Sequence, residues 1–483
     1  MKVRPPIDDR TWPSTAVRVE AEPKAETSEQ LPEHRSIRHL LWLFFWLLLI
    51  EGALRKWVFP QWSTPLLLIR DPVVILIYLI ALAQGIFPTN AFIVWGILMG
   101  IGNAIASVVS GPGNLYVTIY GLRTSFLYLP LIFIIPKVFN RDDVEKIGKW
   151  VLISAIPMAL LVLIQFRASP NAWVNVGAGG EEGTQLTVGF GKIRPPGTFS
   201  FTSGLGTYIS LLAAFIFSWL IKRNSTPAKV VIAAIPAAGI MLGVCGARGT
   251  LVAVVVILIG MGYVCLRRQE FFGRGIRAAL VISVVFVVLQ FRHEFRQGMI
   301  IYESRITTGG GVRDGLIVRA LNDFVEPFRA VSETPLFGEG IGLGTTVAGG
   351  LLSGKRKFLL AEGEWSRIER ESGPILGFSY LALRAALVIL LVRTSNHALN
   401  DGNPLPMMLM CAAAPGVLSG QWGVTTLLGF ATFGAGLCLA SGISPPAALS
   451  EGPKLFRISP ESVTNPNRRV RGRSIYAEKL HGR

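Results

Sequence analysis

The sequence has few charged residues, and this scarcity excludes most classes of soluble protein. Only 16% of its 483 residues are Asp, Glu, Lys or Arg, whereas an average soluble domain has about 25%. Apolar residues make up 51% of the chain, and the mean hydropathy is +0.49. The chain is therefore too apolar to be an ordinary soluble, disordered or secreted disulfide-rich protein.

Cysteine and histidine are also scarce, which argues against a disulfide framework and against a metal centre. The four cysteines fall in or next to apolar runs and have no paired spacing. Of the five histidines, only His293 lies in a segment that we place outside the cytoplasm. The sequence has no Cys/His constellation with metal-site spacing. We therefore expect neither a metal ion nor another cofactor.

Long apolar runs recur through most of the chain, and each approaches the roughly 20 residues that cross a bilayer as a helix. They predict an all-α polytopic membrane protein with about twelve transmembrane helices. The predicted helices cover residues 38–53, 66–86, 90–110, 115–136, 147–167, 200–221, 229–246, 250–266, 277–292, 374–392, 404–420 and 423–441.

The net charge of +17 becomes informative once the cations are sorted by side of the membrane. The two termini and the loops on their side hold 27 Lys and Arg residues, whereas the short loops of the opposite side hold five. The positive-inside rule therefore places both termini in the cytoplasm. We interpret 1–36 as a disordered leader, 37–291 as helices 1–9, 292–374 as a helical loop on the outer side, 375–441 as helices 10–12 and 442–483 as a disordered basic tail. The positive charge is explained by orientation, so we expect no nucleic-acid partner.

Ionisable residues inside the predicted helices are functional candidates, because a charge in the bilayer is costly. Glu51 could form an ion pair with Arg55, four residues away on one helical face. The Arg70-Asp71 pair, followed by Pro72, could simply begin a helix. Arg123 and Arg384 are placed roughly ten residues into their spans, about 15 Å deep. For both arginines a buried structural pair and a polar cavity remain open.

Two short basic segments lie where helices turn back into the membrane on the outer side. The run from Lys192 to Phe199 contains Arg194 and precedes a helix whose first turn offers Ser200, Thr202 and Ser203 as caps. In the second segment, Arg248 lies between two glycines where one helix ends and the next begins. Helix N-termini attract anions, and arginine binds phosphate in a bidentate manner. The two segments therefore predict a site for a lipid-linked phosphate or diphosphate.

The predicted outer loop holds a glycine-rich run and a charged run. The glycine-rich run, residues 335–344, lacks the strand–turn–helix context of a nucleotide loop. In the charged run, residues 361–373, Glu364, Arg367 and Glu371 would share one face of a helix. A carboxylate there could act as a general base, and a solvated charged face is the equally open alternative.

Four short motifs follow one another along the apolar part of the chain. Arg194-Pro-Pro-Gly-Thr-Phe is similar to an Arg–Gly–Phe segment before a span, and Gly246-Ala-Arg248-Gly249 to a Ser-Arg-Gly turn with Ala in place of Ser. Arg329 and Gly340 fit an Arg-x10-Gly pattern. Glu371-Ser-Gly373, with Gly377 beyond it, is similar to the end of a His-Asn…Glu-x-Gly…Gly segment. In this order, the motifs resemble those of the O-antigen ligase and polymerase superfamily of bacterial membrane glycosyltransferases.

The resemblance implies a bacterial inner-membrane protein with a GT-C-like fold and with 292–374 in the periplasm. It also implies an inverting transfer of glycan from an undecaprenyl-diphosphate carrier to a glycan or lipid acceptor at the periplasmic face, without a metal. Where ligases carry the histidine, this chain aligns best with Glu362, and the role of that histidine is either lost, moved to a glutamate or supplied by His293. This departure places a polysaccharide polymerase slightly ahead of an O-antigen ligase. The residues expected to act in catalysis are Glu362, Glu364, Glu371 and Arg248. Those expected to bind the diphosphate are Arg194, Arg248, Arg329 and Arg123.

Two other functions remain open. A transporter or flippase of lipid-linked sugars would share the many spans and the intramembrane charges, although the chain shows no convincing internal repeat. A scaffolding role in a polysaccharide export complex is the third possibility.

Overall fold

The computed structural model describes residues 34–110, 114–183, 185–188, 191–308, 318–331, 334–354, 360–361 and 363–443. Helices form nearly all of the regular structure in these residues. The helices are α1 (Arg35–Val58), α2 (Pro60–Ala83), α3 (Ala91–Ser110), α4 (Leu115–Val138), α5 (Arg141–Arg167), α6 (Thr202–Ile221), α7 (Ala228–Val244), α8 (Arg248–Arg267), α9 (Gln269–Gln290), α10 (His293–Thr308), α11 (Arg319–Ala330), α12 (Thr346–Ser353), α13 (Glu364–Asn400), α14 (Leu405–Ser419) and α15 (Thr425–Gly442). Two short antiparallel strands, β1 (Thr187–Val188) and β2 (Lys192–Ile193), form a hairpin between α5 and α6.

The protein is a multi-pass membrane protein. Among the described residues, ten helices are long and apolar enough to cross a bilayer, and α7 and α14 are two shorter apolar helices. Each of the twelve predicted apolar runs overlaps one of these twelve helices. The leader (1–33) and the tail (444–483) lie outside the described residues, so their predicted disorder stays a prediction.

Helix ends differ from the predicted spans where local chemistry extends or bends a helix. Helix α5 begins six residues earlier than its apolar run, because Asn140 and Asp143 form a reciprocal capping box. Helix α13 is 37 residues long and includes the charged run 364–372. It bends at Gly373, whose φ of 74° is open to glycine and strained for other residues.

Contacts between loops separate the helix ends into two groups. Lys222 donates to the carbonyl of Gly402, and Arg268 donates to that of Leu399, at the end of the bundle that has short loops. The other end, which we call the long-loop end, carries the described residues of segments 168–201 and 291–363. There Lys56 donates to the carbonyl of Gly197 at 2.6 Å. This grouping agrees with alternating helix directions along the chain.

One predicted detail is wrong. None of Ser200, Thr202 and Ser203 caps α6, because Phe201 occupies the N-cap position without a side-chain hydrogen bond. The hydroxyl of Ser200 instead accepts a hydrogen bond from Arg55 at 3.1 Å. Arg55 also forms the expected ion pair with Glu51, at 3.3 Å.

Candidate functional site

Three arginines from separate parts of the chain meet at the long-loop end, and we call Arg194, Arg248 and Arg305 the arginine cluster. The guanidinium of Arg305 donates to the carbonyl of Gly246. Arg248 donates to the carbonyl of Arg305 at 3.4 Å. Arg194 lies across the same turn, since a Cβ on Gly246 would be 3.5 Å from its Cγ. The cluster thus contains two of the residues expected to bind diphosphate, and adds Arg305.

The three like charges influence one another. Partial burial, reinforced by the positive charges of Arg305 and then Arg248, lowers the pKa of Arg194 to about 10. The Nε of Arg194 is buried and has no hydrogen-bond partner among the described residues. Bringing cations together costs free energy that a bound anion would offset. The cluster is therefore suited electrostatically to a multiply charged anion.

The segment that carries Arg194 is fixed at several points. The carbonyl of Gly197 accepts two hydrogen bonds, one from Lys56 and one from the side-chain amide of Gln165. Gly197 has a positive φ of 62°. Thr198 donates to the carbonyl of Leu49 at 2.7 Å. Segment 198–200 packs so closely on Gly52 that a Cβ there would lie 2.5 Å from its backbone. Arg194 is thus held by a rigid loop, which favours ligand binding without rearrangement.

Arg248 is presented at the first turn of a helix. It is the first residue of α8, and the N-cap residue Ala247 supplies no side-chain cap. Tyr302 of α10 packs beneath the turn, where its hydroxyl contacts the carbonyls of Leu242 and Ala247. An uncapped helix N-terminus presents backbone N–H groups to an anion. Backbone and side chain at Arg248 therefore favour the same kind of ligand.

A cavity of about 290 Å³ lies in the bundle between α6, α8, α14 and α15. Ala247 and Gly249, on either side of Arg248, line one part of it. Gly416 and Gly420 line another part, and both of their carbonyls accept hydrogen bonds from Arg384. The remaining wall is made of apolar residues and five hydroxyl side chains, from Ser203, Thr207, Ser210, Thr250 and Ser419. The cavity therefore extends from the turn that carries Arg248 to two glycines that are bonded to a second charged group.

That second group is a buried ion-pair network, made of Glu364, Arg367, Glu371 and Arg384. Glu364 accepts from Arg367 at 2.9 and 3.0 Å, and from Arg384 at 2.7 Å. Glu371 accepts from Arg367 at 2.6 Å. All four residues are 4% exposed or less. The predicted shared face of Glu364, Arg367 and Glu371 is thus present, and it is packed inside the protein rather than solvated.

The network also anchors the glycine-rich run. Glu371 accepts from the backbone N–H of Gly344 at 2.7 Å. Ser107 of α3 accepts from the N–H of Ile341 at 2.9 Å, and Gly342 lies directly against Gly121 of α4. Residues 340–345 are all buried. Residues 338–344, which we call the re-entrant run, are therefore packed between helices, which the sequence did not indicate.

Glu369 differs from the other two carboxylates of this helical turn. It is fully buried, and its Oε2 accepts from the hydroxyl of Thr334 at 3.0 Å. Its Oε1 has no hydrogen-bond partner among the described residues. Both Glu364 and Glu371 are neutralised by arginine, whereas Glu369 keeps one buried acceptor atom without a hydrogen bond. A carboxylate in this state is better placed to accept a proton than one held in an ion pair.

The other predicted site residues lie elsewhere or are not described. Arg123 pairs with Asp71 through two hydrogen bonds of 2.7 Å, in a π-helical turn of α4. Arg329 lies in the last turn of α11 with an exposed side chain, and His293 is exposed at the start of α10. Glu362 lies outside the described residues.

Two residues of interest, Arg305 and Glu369, were not selected from the sequence. Arg305 falls in the long predicted loop 292–374, where charge says little about topology. A usable signal existed, because Arg305 lies four residues after Ile301 and three after Tyr302, both buried, on one face of α10. Glu369 carried no such signal. Among the described residues no group of three or more His, Cys, Asp or Glu could hold a metal ion.

No protein-family model matches the chain, and no curated protein matches it significantly. The resemblance to O-antigen ligases and polymerases is therefore a prediction from the short motifs alone.

Proposed function

We propose that this protein is an inverting membrane glycosyltransferase that transfers or polymerises glycan units from an undecaprenyl-diphosphate-linked donor at the periplasmic face. The observation that carries the proposal is the convergence of Arg194, Arg248 and Arg305 beside an uncapped helix N-terminus. Such a group matches the charge of a diphosphate. It is also placed at the end of an apolar bundle, where a lipid-linked substrate presents its head group.

The proposed reaction needs charge stabilisation and one proton acceptor. The acceptor oxygen forms a bond to the anomeric carbon from the face opposite the diphosphate, and the bond from that carbon to the diphosphate oxygen breaks. Negative charge grows on the leaving diphosphate, and the arginine cluster would stabilise it. The acceptor proton passes to a carboxylate. Glu369 is the described carboxylate best suited to this role, while Glu362 keeps the role that the family resemblance implies.

The proposal includes a fold and a location. The twelve apolar helices would all cross the inner membrane, with both termini cytoplasmic and the long-loop end periplasmic. The arrangement would then be GT-C-like, with residues 292–374 over the catalytic face. The expected partners are the lipid-linked donor, a glycan or lipid acceptor, the bilayer and a polysaccharide export complex. The chemistry requires no metal, since the arginines supply the positive charge. A polymerase is slightly favoured over an O-antigen ligase.

The first test is Arg248→Ala in cells and in vitro. Removing the guanidinium of Arg248 from the cluster should abolish the formation of polymer or ligated glycan. The lipid-linked donor should accumulate, and the protein should still insert into the membrane. Arg296→Ala is the matched control, because Arg296 is an exposed arginine on the neighbouring α10. Both variants are assayed with a defined undecaprenyl-diphosphate oligosaccharide, and products are sized by electrophoresis. A ladder of products indicates a polymerase and a single transfer a ligase; normal product from Arg248→Ala would overturn the proposal.

A flippase of lipid-linked sugars is the second candidate, and one observation favours it. Asp71, Arg123 and Tyr128 form a hydrogen-bonded group inside α2 and α4, at a π-helical turn of the kind often found at functional sites. Transporters use such intramembrane charges. In liposomes, purified protein that moved lipid-linked glycan across the bilayer without forming a glycosidic bond would establish this function instead.

A further inference from the structure

Two tryptophans lie in contact on the surface at the long-loop end, and we call Trp57 and Trp173 the tryptophan pair. Their ring centroids are 6.0 Å apart, and the indole N–H of Trp57 donates to the carbonyl of Trp173 at 3.2 Å. Trp173 is 71% exposed, and Trp62, at the start of α2, is 60% exposed. This part of the surface therefore presents large aromatic rings to its surroundings.

The loop that carries Trp173 is fixed to the bundle. Asn175 is buried, and its side-chain amide donates to two backbone carbonyls at 3.1 and 2.8 Å. The glycine-rich turn that follows packs on the start of α2, since a Cβ on Gly180 would lie 3.2 Å from Pro60. Trp173 is thus held in place before any ligand arrives, which lowers the entropic cost of binding.

The same loop exposes polar and acidic side chains. Asn171, two residues before Trp173, is exposed, and so is Glu182. They belong to one rim, because the Oδ1 of Asn171 would lie 3.6 Å from a Cβ on Gly183. Interfacial tryptophans anchor helix ends in a membrane, whereas Trp173 lies on a loop, six residues beyond the end of α5. An exposed apolar surface with a polar rim is typical of a binding site.

Hydrogen bonds connect the tryptophan pair to the segment that carries the first residue of the arginine cluster. Lys56, which precedes the first tryptophan of the pair, donates to the carbonyl of Gly197 at 2.6 Å. The side-chain amide of Gln165 donates to the same carbonyl and to that of the residue after Trp173. Gly197 is three residues from Arg194, and three residues span at most about 11 Å. The aromatic surface and the cluster are therefore held by one framework.

We propose that the tryptophan pair binds the glycan of the lipid-linked donor while the diphosphate of that donor occupies the arginine cluster. This inference rests on the proposed function, which supplies the glycan. A pyranose ring presents a face of C–H groups, which packs on the electron-rich face of an indole. Its hydroxyls donate to carboxylate and amide oxygens. Trp173, Asn171 and Glu182 offer these kinds of contact on one loop.

The test compares farnesyl diphosphate with farnesyl-diphosphate oligosaccharide, which bears the oligosaccharide of the transfer assay, on full-length protein in phosphatidylcholine nanodiscs. The unmodified protein should bind the oligosaccharide-bearing probe roughly tenfold more tightly, because stacking on an indole adds to the binding of the diphosphate. Trp173→Ala should remove this preference and leave the affinity for farnesyl diphosphate unchanged. The retained affinity also shows that the variant is folded. Isothermal titration measures both affinities.

Trp150→Ala is the matched control and should keep the preference. Trp150 is 43% exposed and packs on another tryptophan, Trp46, in the half of α5 nearer the short-loop end. The inference is overturned if the unmodified protein has no preference or if Trp173→Ala keeps it. It is also overturned if Trp173→Ala weakens only the binding of the free oligosaccharide, which would assign the surface to the acceptor.

A second measurement separates a glycan surface from a membrane anchor. A spin label on the Trp173→Cys variant should collide more often with an aqueous nickel complex than with oxygen, and the reverse order would place Trp173 in lipid and overturn the inference. The proposed function fails separately. A protein that shows the preference but forms no glycosidic bond keeps this surface and loses its assignment as a transferase, whereas one that transfers glycan without the preference loses only the surface.

Discussion

At the scale of single residues, the protein contains two kinds of arginine: those buried in ion pairs with glutamate, and those that lie next to other arginines. Glu364 and Glu371 are buried against Arg367 and Arg384, so their charges are compensated inside the protein. Arg194 instead lies near two other arginines, which lower its pKa. Removing one partner of a buried ion pair is costly, whereas a cluster of like charges is relieved by a bound anion. This difference separates the paired arginines from the arginines that we propose to bind the ligand.

Arg194→Lys should make anion binding sensitive to mildly alkaline pH. The surroundings of Arg194 lower its pKa to about 10, so the native guanidinium stays protonated from pH 7 to pH 9. Lysine ordinarily titrates near pH 10.4, and the same surroundings would lower that value further. As the pH rises, the variant loses its charge and its affinity for inorganic diphosphate should fall, while the affinity of the native protein holds. Isothermal titration at pH 7 and pH 9 measures this; parallel profiles for the two proteins would contradict it.

Glu364→Gln should lower the stability of the protein, whereas Glu369→Gln should lower its turnover and leave its stability unchanged. The first leaves two buried arginines without their carboxylate, which costs about 3–5 kcal/mol of stability, and the folded fraction after heating in detergent should drop. Glu339→Gln is the control, because its pair with Arg370 is about one-third exposed and is worth about 0–1 kcal/mol. Glu369→Gln should keep the native heat resistance and lose about 10²–10⁴ in turnover. If Glu369→Gln has full activity, the proton goes to another group, with Glu362 first in line.

At the scale of elements, the apolar runs predicted the helices because bilayer thickness imposes a length that the sequence shows directly. The residues at which the helices end, and the contacts between helices, were harder to predict from the sequence. The extension of α13 to Glu364 includes a charged run whose charges are paired with one another inside the protein. The meeting of Arg194 with Arg305 joins residues more than 100 positions apart, and no periodicity in the sequence encodes such a contact. That Arg194 and Arg248 lie close together was expected, because both were assigned to the outer side of the membrane.

The re-entrant run 338–344 should tolerate no side chain at Gly342. This glycine has a φ of 92°, and an added Cβ would lie 2.3 Å from the carbonyl of Val117. Gly342→Ala therefore combines backbone strain with overpacking, each costing about 1–3 kcal/mol. Gly350→Ala in α12 is the control, because nothing lies within 4 Å of its added Cβ. Limited proteolysis should cut the Gly342→Ala variant faster within residues 335–345, and equal rates for both variants would show that the run is not held by this contact.

At the scale of the whole molecule, orientation decides whether the arginine cluster can meet a periplasmic substrate. The described native cysteines are all buried, so a single added cysteine can be labelled over a low background. Glu182 at the long-loop end and Ser225 at the short-loop end are both exposed. In spheroplasts, a membrane-impermeant maleimide should label Glu182→Cys and spare Ser225→Cys until the membrane is opened. The reverse pattern would place the cluster in the cytoplasm and remove the basis for a periplasmic transferase.

The re-entrant run also has a consequence for how the protein is made. Its partners, Ser107, Gly121 and Glu371, belong to helices that leave the ribosome far apart in time. The earlier two helices are synthesised more than 200 residues before the last, so the run cannot settle until α13 has entered the membrane. A chain truncated before α13 would contain all three clustered arginines and the re-entrant run, but it would lack Glu371, whose carboxylate accepts the hydrogen bond from Gly344.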